Sequence, residues 1–398
     1  MSAPAAKPVA LEPVPRRLRI AVLNRTFSPT GGGAERYSIA LVEQLAARHD
    51  IHVFAQVVEH HFPGVSYHRV SMPLRKPRWI NQLWFAAATW WGTRRGFDVV
   101  HSHENTWHGD VQTVHVLPVK HNLFQGRTGW RLALRWVKVL TSPRLLVYLG
   151  LERARYARKP GRKVVVTSPS LQRILALSYP AWAMQTEVIT PGIVLPNHTV
   201  SSALKEAARL GLGLPLDAHC LLFVGNDYRK KGLFTLLQAM GKLPPDVVLA
   251  VVGNAASIQE FRAQAQALKI DLRVFFLGPL HDVGPAYLSA DALVHPTLED
   301  TFAMVVLEAM AHGLPVAVSG PAYCGISELL KPGLEALLID DPKNAEQLAQ
   351  SLRDLLFNSS LRARLVQGGQ NFAAAYPWQR LALVQESVYL AAVRAKAA

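Results

Sequence analysis

The chain has 398 residues, of which 50% are hydrophobic and 18% are charged, and its net charge is +15. This much apolar sequence excludes an intrinsically disordered protein, and the length predicts two domains of ordinary size. Residues 1–200 contain 26 Lys and Arg against 10 Asp and Glu, whereas residues 201–398 contain 17 against 18. The first half therefore carries the whole basic excess.

A basic protein can bind nucleic acid, an anionic membrane or a phosphorylated substrate. The sequence has no zinc-finger spacing, basic leucine zipper or ribonucleoprotein motif, so no nucleic-acid partner is expected. The two cysteines, Cys220 and Cys324, predict free thiols in a reducing compartment. Residues 1–15 predict a flexible tail and not a signal peptide. No run of eighteen apolar residues is present, so we expect no membrane-spanning helix.

The first half alternates short apolar runs with segments of helical periodicity. It predicts strands at 19–24, 51–55, 99–101, 113–116 and 163–167, and helices at 34–48 and from Ser168 onward. Because these strands are apolar on both faces, they predict a parallel sheet covered by helices on both sides.

The pattern lapses between residues 191 and 217, where we place the domain boundary. A second series then predicts strands at 220–224, 247–252, 274–277, 292–294 and 315–319, separated by helices at 232–240, 256–268, 283–288 and 303–311. The predicted fold class is α/β, with two Rossmann-like, doubly wound domains at 16–195 and 196–376 that face one another across a cleft. A last helix within 377–398 could cross back to the first domain.

Two loops could bind phosphate. Gly31, Gly32 and Gly33 separate the first predicted strand from the first helix, where backbone amides can face an anion. Their spacing matches no ordinary nucleotide-binding fingerprint, so a flexible turn is the alternative. Arg229 and Lys231 follow the first strand of the second domain, where cations could hold a diphosphate, and a solvated basic turn is the alternative there.

The most specific segment is residues 295–316, HPTLEDTFAMVVLEAMAHGLPV. Seven residues separate Asp300 from Glu308, and Glu-Ala-Met-Ala-His-Gly-Leu-Pro-Val follows. The segment resembles the donor-site signature of the retaining family four glycosyltransferases of the GT-B fold. Further similar motifs occur at 31–36, 97–103, 188–193 and 376–378, so the resemblance extends over most of the chain. Within the family it looks most like the lipopolysaccharide core hexosyltransferases that use a UDP-sugar.

The resemblance implies that a hexose passes from a nucleotide-sugar, held mainly by the second domain, to a glycolipid or saccharide acceptor, held mainly by the first. Asp300 would contact the donor sugar, Glu308 the ribose, and His115 the sugar hydroxyls. Arg229, Lys231 and the amides of Gly32 and Gly33 would stabilise the diphosphate as it leaves. The other expected donor-binding residues are Gly253, Leu280, Phe302, Ala303 and Met304.

Three residues depart from the family pattern. Asn226 stands where many relatives have Arg, which shifts the expected phosphate contacts to Arg229 and Lys231. Asp300 is one methylene shorter than the usual Glu, so Glu299 could contact the sugar instead. Ala303 replaces a glycine whose amide approaches the sugar phosphate. We expect no cofactor and no metal, because the leaving diphosphate can be stabilised by cations and amides. No carboxylate pair of the glycosidase type is evident.

Four histidines, His101, His103, His108 and His115, lie close together in the sequence. Their spacing lacks the context of a known zinc motif, so a metal site there is only the alternative interpretation. His101 and His103 are expected to be structural.

Residues 75–95 and 127–159 mix Lys and Arg with Trp and Tyr. Such a composition predicts a surface of the first domain that docks on the anionic inner face of the cytoplasmic membrane. The alternative is a core of tryptophans beneath a solvated basic face.

Two other functions remain open from the sequence. One is a nucleotide-sugar epimerase or hydrolase of the same architecture. The other is a non-enzymatic protein that binds phosphate or nucleic acid.

Overall fold

A computed structural model describes residues 16–74, 76–183, 185–196 and 201–397, so the predicted tail at 1–15 lies outside the described residues. By its internal contacts the chain divides into two compact units. The first unit consists of Met1–Pro191 with Trp378–Ala398, and the second unit is Gly192–Pro377.

The first unit contains a parallel sheet of seven strands in the order β5-β3-β1-β6-β7-β8-β9. Its strands are β1 (Arg19–Leu23), β3 (Asp50–Ala55), β5 (Val65–Arg69), β6 (Val99–Ser102), β7 (Val111–Val114), β8 (Lys163–Val166) and β9 (Thr186–Val188), and a separate short pair is formed by β2 (Thr26–Phe27) and β4 (Val57–Val58). The central strands are apolar and buried on both faces, as a parallel sheet between two helical layers requires.

The helices of the first unit are α1 (Gly33–Ala46), α2 (Arg78–Thr93), α3 (Val119–Phe124), α4 (Gly129–Leu140), α5 (Pro143–Arg155), α6 (Pro169–Ser178) and the C-terminal α14 (Trp378–Ala397). Helix α14 packs against α1. Its Glu386 accepts hydrogen bonds from Arg48 at 2.9 and 3.1 Å. The last helix therefore belongs structurally to the first unit.

The second unit contains a parallel sheet of six strands in the order β12-β11-β10-β13-β14-β15. Its strands are β10 (His219–Val224), β11 (Val247–Val252), β12 (Val274–Gly278), β13 (Ala292–His295), β14 (Val316–Ser319) and β15 (Leu337–Ile339). Its helices are α7 (Ser202–Leu212), α8 (Leu233–Met240), α9 (Ile258–Ala267), α10 (Gly284–Ser289), α11 (Met304–Ala311), α12 (Ala345–Phe357) and α13 (Ser359–Ala374).

Strand β10 shows how the second unit buries its core. Cys220, Leu222 and Val224 join one apolar cluster, while Leu221 and Phe223 join another. Because successive side chains of a strand point to opposite faces, the two clusters lie on the two sides of the sheet. The sheet is thus covered on both faces.

The predicted class of two Rossmann-like α/β domains is confirmed. The strand predicted at 113–116 is wrong in its bounds: β7 is Val111–Val114, and Val116 is exposed. The sequence did not predict the edge strands β5, β9 and β15, because β9 and β15 have only three residues each and β5 is largely polar. It also did not predict helices α2 to α5; among these, the buried positions of α2 and α5 include polar and charged residues. Among the described residues, no helix is long and apolar enough to cross a membrane.

Candidate active site

Strands β10, β11 and β13 of the second unit end at one edge of the sheet, and the loops that follow them are packed closely together. A side chain at Gly253 would lie 1.9 Å from the carbonyl oxygen of Gly225, and one at Gly232 would lie 1.9 Å from that of Pro296. Both glycines also adopt positive φ. Glycine is therefore required at both positions, and Gly253, predicted to bind the donor, has this packing role.

The carboxylate of Asp300, in the loop after β13, accepts from four protein donors. Its Oδ2 lies 3.0 Å from Nε2 of His295 and 2.5 Å from Nζ of Lys231. Its Oδ1 accepts from the backbone amides of Phe302 at 3.2 Å and Ala303 at 3.0 Å. A carboxylate has about four lone-pair positions, so these contacts use its full accepting capacity.

Charge compensation keeps Asp300 ionised although its side chain is only 14% exposed. Burial alone would raise its pKa, but the hydrogen bond from His295 and the positive charge of Lys231 lower the pKa well below its ordinary value. Burial lowers the pKa of His295, an effect that Asp300 partly offsets. The group is thus a buried anion held between a lysine and an imidazole.

Ala303 lies in the left-handed region, with φ of 73°, immediately before α11. A residue with a Cβ adopts this conformation at a cost of about 1 kcal/mol or more. The local geometry therefore accounts for the glycine that the family pattern has here. The amide of Ala303 is held by Asp300 in this strained turn.

The three bases of the turn after β10 pair with three different acids. Arg229 is 74% exposed and pairs with Glu260 at 2.8 Å. Lys230, also exposed, pairs with Glu299 at 2.9 Å. The structure therefore brings Lys231 to Asp300, whereas the Arg229 side chain lies with Glu260 instead.

Glu308, on α11, is a second buried acid of this unit. Its Oε2 accepts a hydrogen bond from the hydroxyl of Tyr287 at 2.6 Å. The ring of Tyr287 stacks against His312 with centroids 5.0 Å apart, and Nδ1 of His312 lies 2.9 Å from the carbonyl oxygen of Glu308. The glutamate is thus fixed in place by its neighbours on α10 and α11.

Three further predicted donor-binding residues belong to the apolar core. Phe302 is buried in the core cluster that includes Val306, and both Leu280 and Met304 pack against it. Because the Phe302 side chain is packed in the core, the backbone of the loop after β13 is better suited to contact a ligand than this side chain is.

The glycine loop of the first unit forms the start of α1. Gly32 is the N-cap residue and Gly33 the first helical residue. A side chain at Gly31 would lie 2.9 Å from Glu35, so this glycine permits the close approach of the glutamate. Burial, together with the charge of Glu104, raises the pKa of Glu35.

His115 directly follows β7, and its Nε2 lies 2.8 Å from Nδ1 of His103. The two rings stack with centroids 5.2 Å apart. Burial, and then the charge of Arg155, lower the pKa of His115 to about 3. His115 is therefore a neutral imidazole at pH 7, suited to exchanging hydrogen bonds and not to carrying charge.

His101 has partners on both ring nitrogens, the hydroxyl of Tyr389 and the hydroxyl of Thr113, each at 2.7 Å. These contacts fit the structural role predicted for it. In the part of the chain that the structure describes, no group of three His, Cys, Asp or Glu residues is arranged to hold a metal ion.

Three residues of the site were not singled out from the sequence: His295, Tyr287 and Glu35. His295 stands at the end of a predicted strand, which is a usual place for a ligand-facing residue in such sheets. Tyr287 and Glu35 carry no comparable signal, because their contacts depend on how α10 and α1 pack.

Two family models match the chain. Glycosyltransferase Family 4 covers residues 31–195, and Glycosyl transferases group 1 covers residues 205–372. Each match lies almost entirely within one of the two units.

Curated relatives agree with these models. The chain is 30% identical over 379 residues to the phosphatidyl-myo-inositol mannosyltransferase of Mycobacterium tuberculosis, a match that covers 90% of this chain and 93% of that protein. It is 28% identical over 233 residues to the lipopolysaccharide glucosyltransferase WaaG of Escherichia coli. The latter match covers 57% of this chain and 61% of the relative, less than two thirds of its length.

Solved structures share the fold. The crystal structure of WaaG, described as a glycosyltransferase involved in lipopolysaccharide biosynthesis, has a TM-score of 0.80 at 22% identity, and covers 93% of this chain and 99% of that one. HepE of Anabaena, solved with UDP and glucose, has a TM-score of 0.74 at 18% identity, and covers 94% and 99%. The chain therefore belongs to the GT-B glycosyltransferases that combine a Glycosyltransferase Family 4 domain with a Glycosyl transferases group 1 domain.

Proposed function

We propose that the protein is a retaining hexosyltransferase that uses a UDP-sugar and a membrane-associated glycolipid acceptor such as a lipopolysaccharide core. The observation that carries the proposal is the pairing of Lys231 with Asp300 at the edge of the second sheet, on the same unit as Glu308. A nucleotide-sugar requires a cation for its diphosphate and acceptors for its sugar and ribose hydroxyl groups. Lys231 supplies the cation, and the acids Asp300 and Glu308 supply the acceptors.

Each part of the donor has a proposed partner. Lys231, with Arg229 after release from Glu260, binds the diphosphate, as do the amides of Gly32 and Gly33. Glu308 accepts from the ribose. For the sugar, Asp300 is preferred to Glu299, because the Glu299 side chain is half-exposed and paired with Lys230, and His115 completes the contacts.

In the proposed reaction the bond between the anomeric carbon and the phosphate oxygen breaks first, which gives an oxocarbenium-like transition state. The acceptor oxygen bonds to that carbon on the face the phosphate leaves, so the configuration is retained. The acceptor proton passes to a phosphate oxygen of the departing nucleoside diphosphate. The protein contributes fixed positive charge and amides toward the growing negative charge.

We propose that transfer needs neither a metal nor a cofactor, because Lys231 and backbone amides can supply the stabilisation. Activity should survive dialysis against excess EDTA. Loss of activity that added Mg²⁺ or Mn²⁺ restores would contradict this part of the proposal.

The acceptor proposal is supported by the names of the two relatives, which both act on lipids or lipid-linked molecules by their printed descriptions. The basic excess of the first half of the chain suits a phosphorylated acceptor. The uracil base is supported only by HepE, which shares the fold and was solved with UDP.

Membrane docking is supported by helix α4 of the first unit. One side of α4 is apolar and exposed, with Trp130 69% exposed, and it also includes Leu134, Trp136, Val137 and Leu140. A cationic stripe runs beside it and consists of Arg131, Arg135 and Lys138. An apolar face bordered by cations is typical of helices that lie in the interface of an anionic membrane.

Helix α2 adds exposed aromatic rings. Trp84, Trp90 and Trp91 are exposed, and the guanidinium of Arg94 lies 3.5 Å from the centroid of the Trp91 ring. The alternative of a buried tryptophan core does not fit these residues. Arg75 lies outside the described residues.

One base assigned to this surface does not belong to it. Arg155 is buried, and it donates to the side chain of Gln112 at 3.0 Å and to the carbonyl oxygen of Thr113 at 2.6 Å. Arg131, Arg135 and Lys138, which lie on α4 beside its apolar side, support peripheral binding at the inner face of the cytoplasmic membrane.

Thermal-shift measurements with UDP-, GDP- and ADP-sugars test the donor proposal. We expect stabilisation of the wild type by one of them, and loss of that stabilisation in Glu308→Ala. Stabilisation that Glu308→Ala retains would instead favour a protein that merely binds phosphate or nucleic acid. Release of free sugar or an epimer without acceptor dependence would favour the hydrolase or epimerase.

A further inference from the structure

In this structure the carboxylate of Asp300 has no accepting position left for a sugar hydroxyl. Two lone pairs face backbone amides, one faces His295 and one faces Lys231. A donor sugar can therefore bind Asp300 only if one of these partners leaves.

The four partners differ in how easily they can leave. The amides of Phe302 and Ala303 belong to the turn that Asp300 itself closes. The His295 side chain is 1% exposed at the end of β13, while the Lys231 side chain is 21% exposed and ends in a flexible ammonium group. Lys231 is therefore the exchangeable partner.

We infer that the donor diphosphate draws Lys231 away from Asp300 and so frees Oδ2 for a sugar hydroxyl, while His295 holds the carboxylate in place. The inference rests on the proposed function, because it needs a donor whose phosphates attract Lys231. His295 acts as a positioning residue, since it touches Asp300 and not the substrate.

The geometry explains why the imidazole of His295 is needed once Lys231 has left Asp300. Once Lys231 has moved, the Nε2–H of His295 is the remaining side-chain donor among the four contacts to the buried carboxylate. A buried anion that loses its hydrogen-bond donors is costly. Without the His295 donor, the Asp300 carboxylate would turn away from the amides of Phe302 and Ala303. The opposite nitrogen, Nδ1 of His295, is buried and has no hydrogen-bond partner among the residues that the structure describes, which fits a neutral imidazole that donates only to Asp300.

Three full-length variants test the inference. His295→Gln can still donate from about the position of Nε2, whereas the shorter His295→Asn cannot reach Asp300. Ser319→Ala is the matched control, because Ser319 is buried on the next strand and its hydroxyl lies 3.5 Å from the carbonyl oxygen of His295, away from the carboxylate. The dissociation constants of UDP and UDP-glucose are measured for each protein by calorimetry.

We expect His295→Asn to raise the ratio of the UDP-glucose constant to the UDP constant about tenfold, the size of a hydrogen bond to a charged group. His295→Gln and Ser319→Ala should keep the ratio within about threefold of wild type. The acid limb of UDP-glucose binding should also move to higher pH in His295→Asn, because removing the imidazole donor raises the pKa of Asp300. A purely structural role would weaken both ligands alike and leave the acid limb in place.

An unchanged ratio in His295→Asn, or an equal loss of UDP and UDP-glucose, overturns the inference and leaves the proposed function standing. A wild-type protein that binds neither UDP nor UDP-glucose, and no GDP- or ADP-sugar, overturns the proposed function and the inference with it.

Discussion

The two units use charge in different ways. The first contains all nine tryptophans of the chain, and its sequence carries 29 Lys and Arg against 11 Asp and Glu. The second contains 14 against 17 and no tryptophan. Arg131, Arg135 and Lys138 of the first unit lie along the exposed helix α4, whereas the second unit holds Glu308 buried and Asp300 largely buried, both hydrogen-bonded.

The difference shows that net charge alone is a poor guide to where a protein binds anions. A broad cationic surface suits a large, anionic partner, while a single lysine beside a buried acid suits one small ligand at a fixed position. The total of +15 hides this division. Variants that alter one unit and spare the other therefore test whether the two units bind anions in these different ways.

The largest effect is expected from Lys231→Met in the second unit. Removing a fixed cation that faces the developing charge should lower kcat by about 10²–10³-fold, measured with radiolabelled donor. Lys230→Met is the control, since Lys230 is exposed and pairs with the half-exposed Glu299, and should change kcat less than about threefold. Equal losses in both variants would mean that general basicity, and not Lys231, supports the reaction.

A smaller effect is expected on the first unit from Leu134→Glu combined with Val137→Glu. Loss of two exposed apolar contacts should reduce flotation with anionic vesicles by about 10–100-fold, with donor binding unchanged. Leu272→Glu, at an 89% exposed position of the second unit, is the control and should float like wild type. Equal recovery of the wild type with neutral and anionic vesicles at low salt would rule out the docking surface.

Buried His101 should give the first unit a pH-dependent contribution to stability. Burial lowers the folded-state pKa of His101 to about 3, against an ordinary value of 6.5. Below pH 6.5 the unfolded chain takes up a proton that the folded state excludes, so His101 costs about 1.4 kcal/mol of stability for each pH unit.

Urea unfolding of His101→Gln and wild type should therefore converge by about 1 kcal/mol between pH 6.5 and 5.5. His281→Gln, at an exposed position of the second unit, should leave the pH dependence as in wild type. Parallel pH profiles for His101→Gln and wild type would contradict the role of burial.

The smallest effect is expected from Ala303→Gly. Glycine relieves the positive φ but loses a buried methyl group, so the free energy of unfolding should change by less than about 0.5 kcal/mol. Ala309→Gly, also buried but within α11, should cost about 1–2 kcal/mol. Equal losses in thermal unfolding would mean that Ala303 is not strained.

Sequence reasoning predicted the centre of each sheet better than its edges. Strand β11, Val247–Val252, is a run of six buried apolar residues with the predicted bounds. Strand β5, Val65–Arg69, is half polar and mostly exposed at the sheet edge, so its pattern gives little signal. Helix α4 was not predicted, although its sequence has a strongly amphipathic helical pattern that could have indicated it.

The candidate site was predictable in its residue types but not in its contacts. The spacing of Asp300 and Glu308 follows from the linear motif. That Lys231, 69 residues earlier, pairs with Asp300, or that Tyr287 holds Glu308, depends on loops from different strands meeting. The pairing of the exposed Arg229 with Glu260 likewise depends on tertiary structure, and no local sequence pattern indicates it.

Hydrogen exchange with and without UDP-glucose tests the central claim, that the second unit binds the donor through the edge of its sheet. We expect slower exchange in the segments 225–232 and 295–308, and loss of this protection in Lys231→Met. Wild-type protein that shows no protection in these segments with UDP-, GDP- or ADP-sugars, or shows it only in the first unit, would contradict the account.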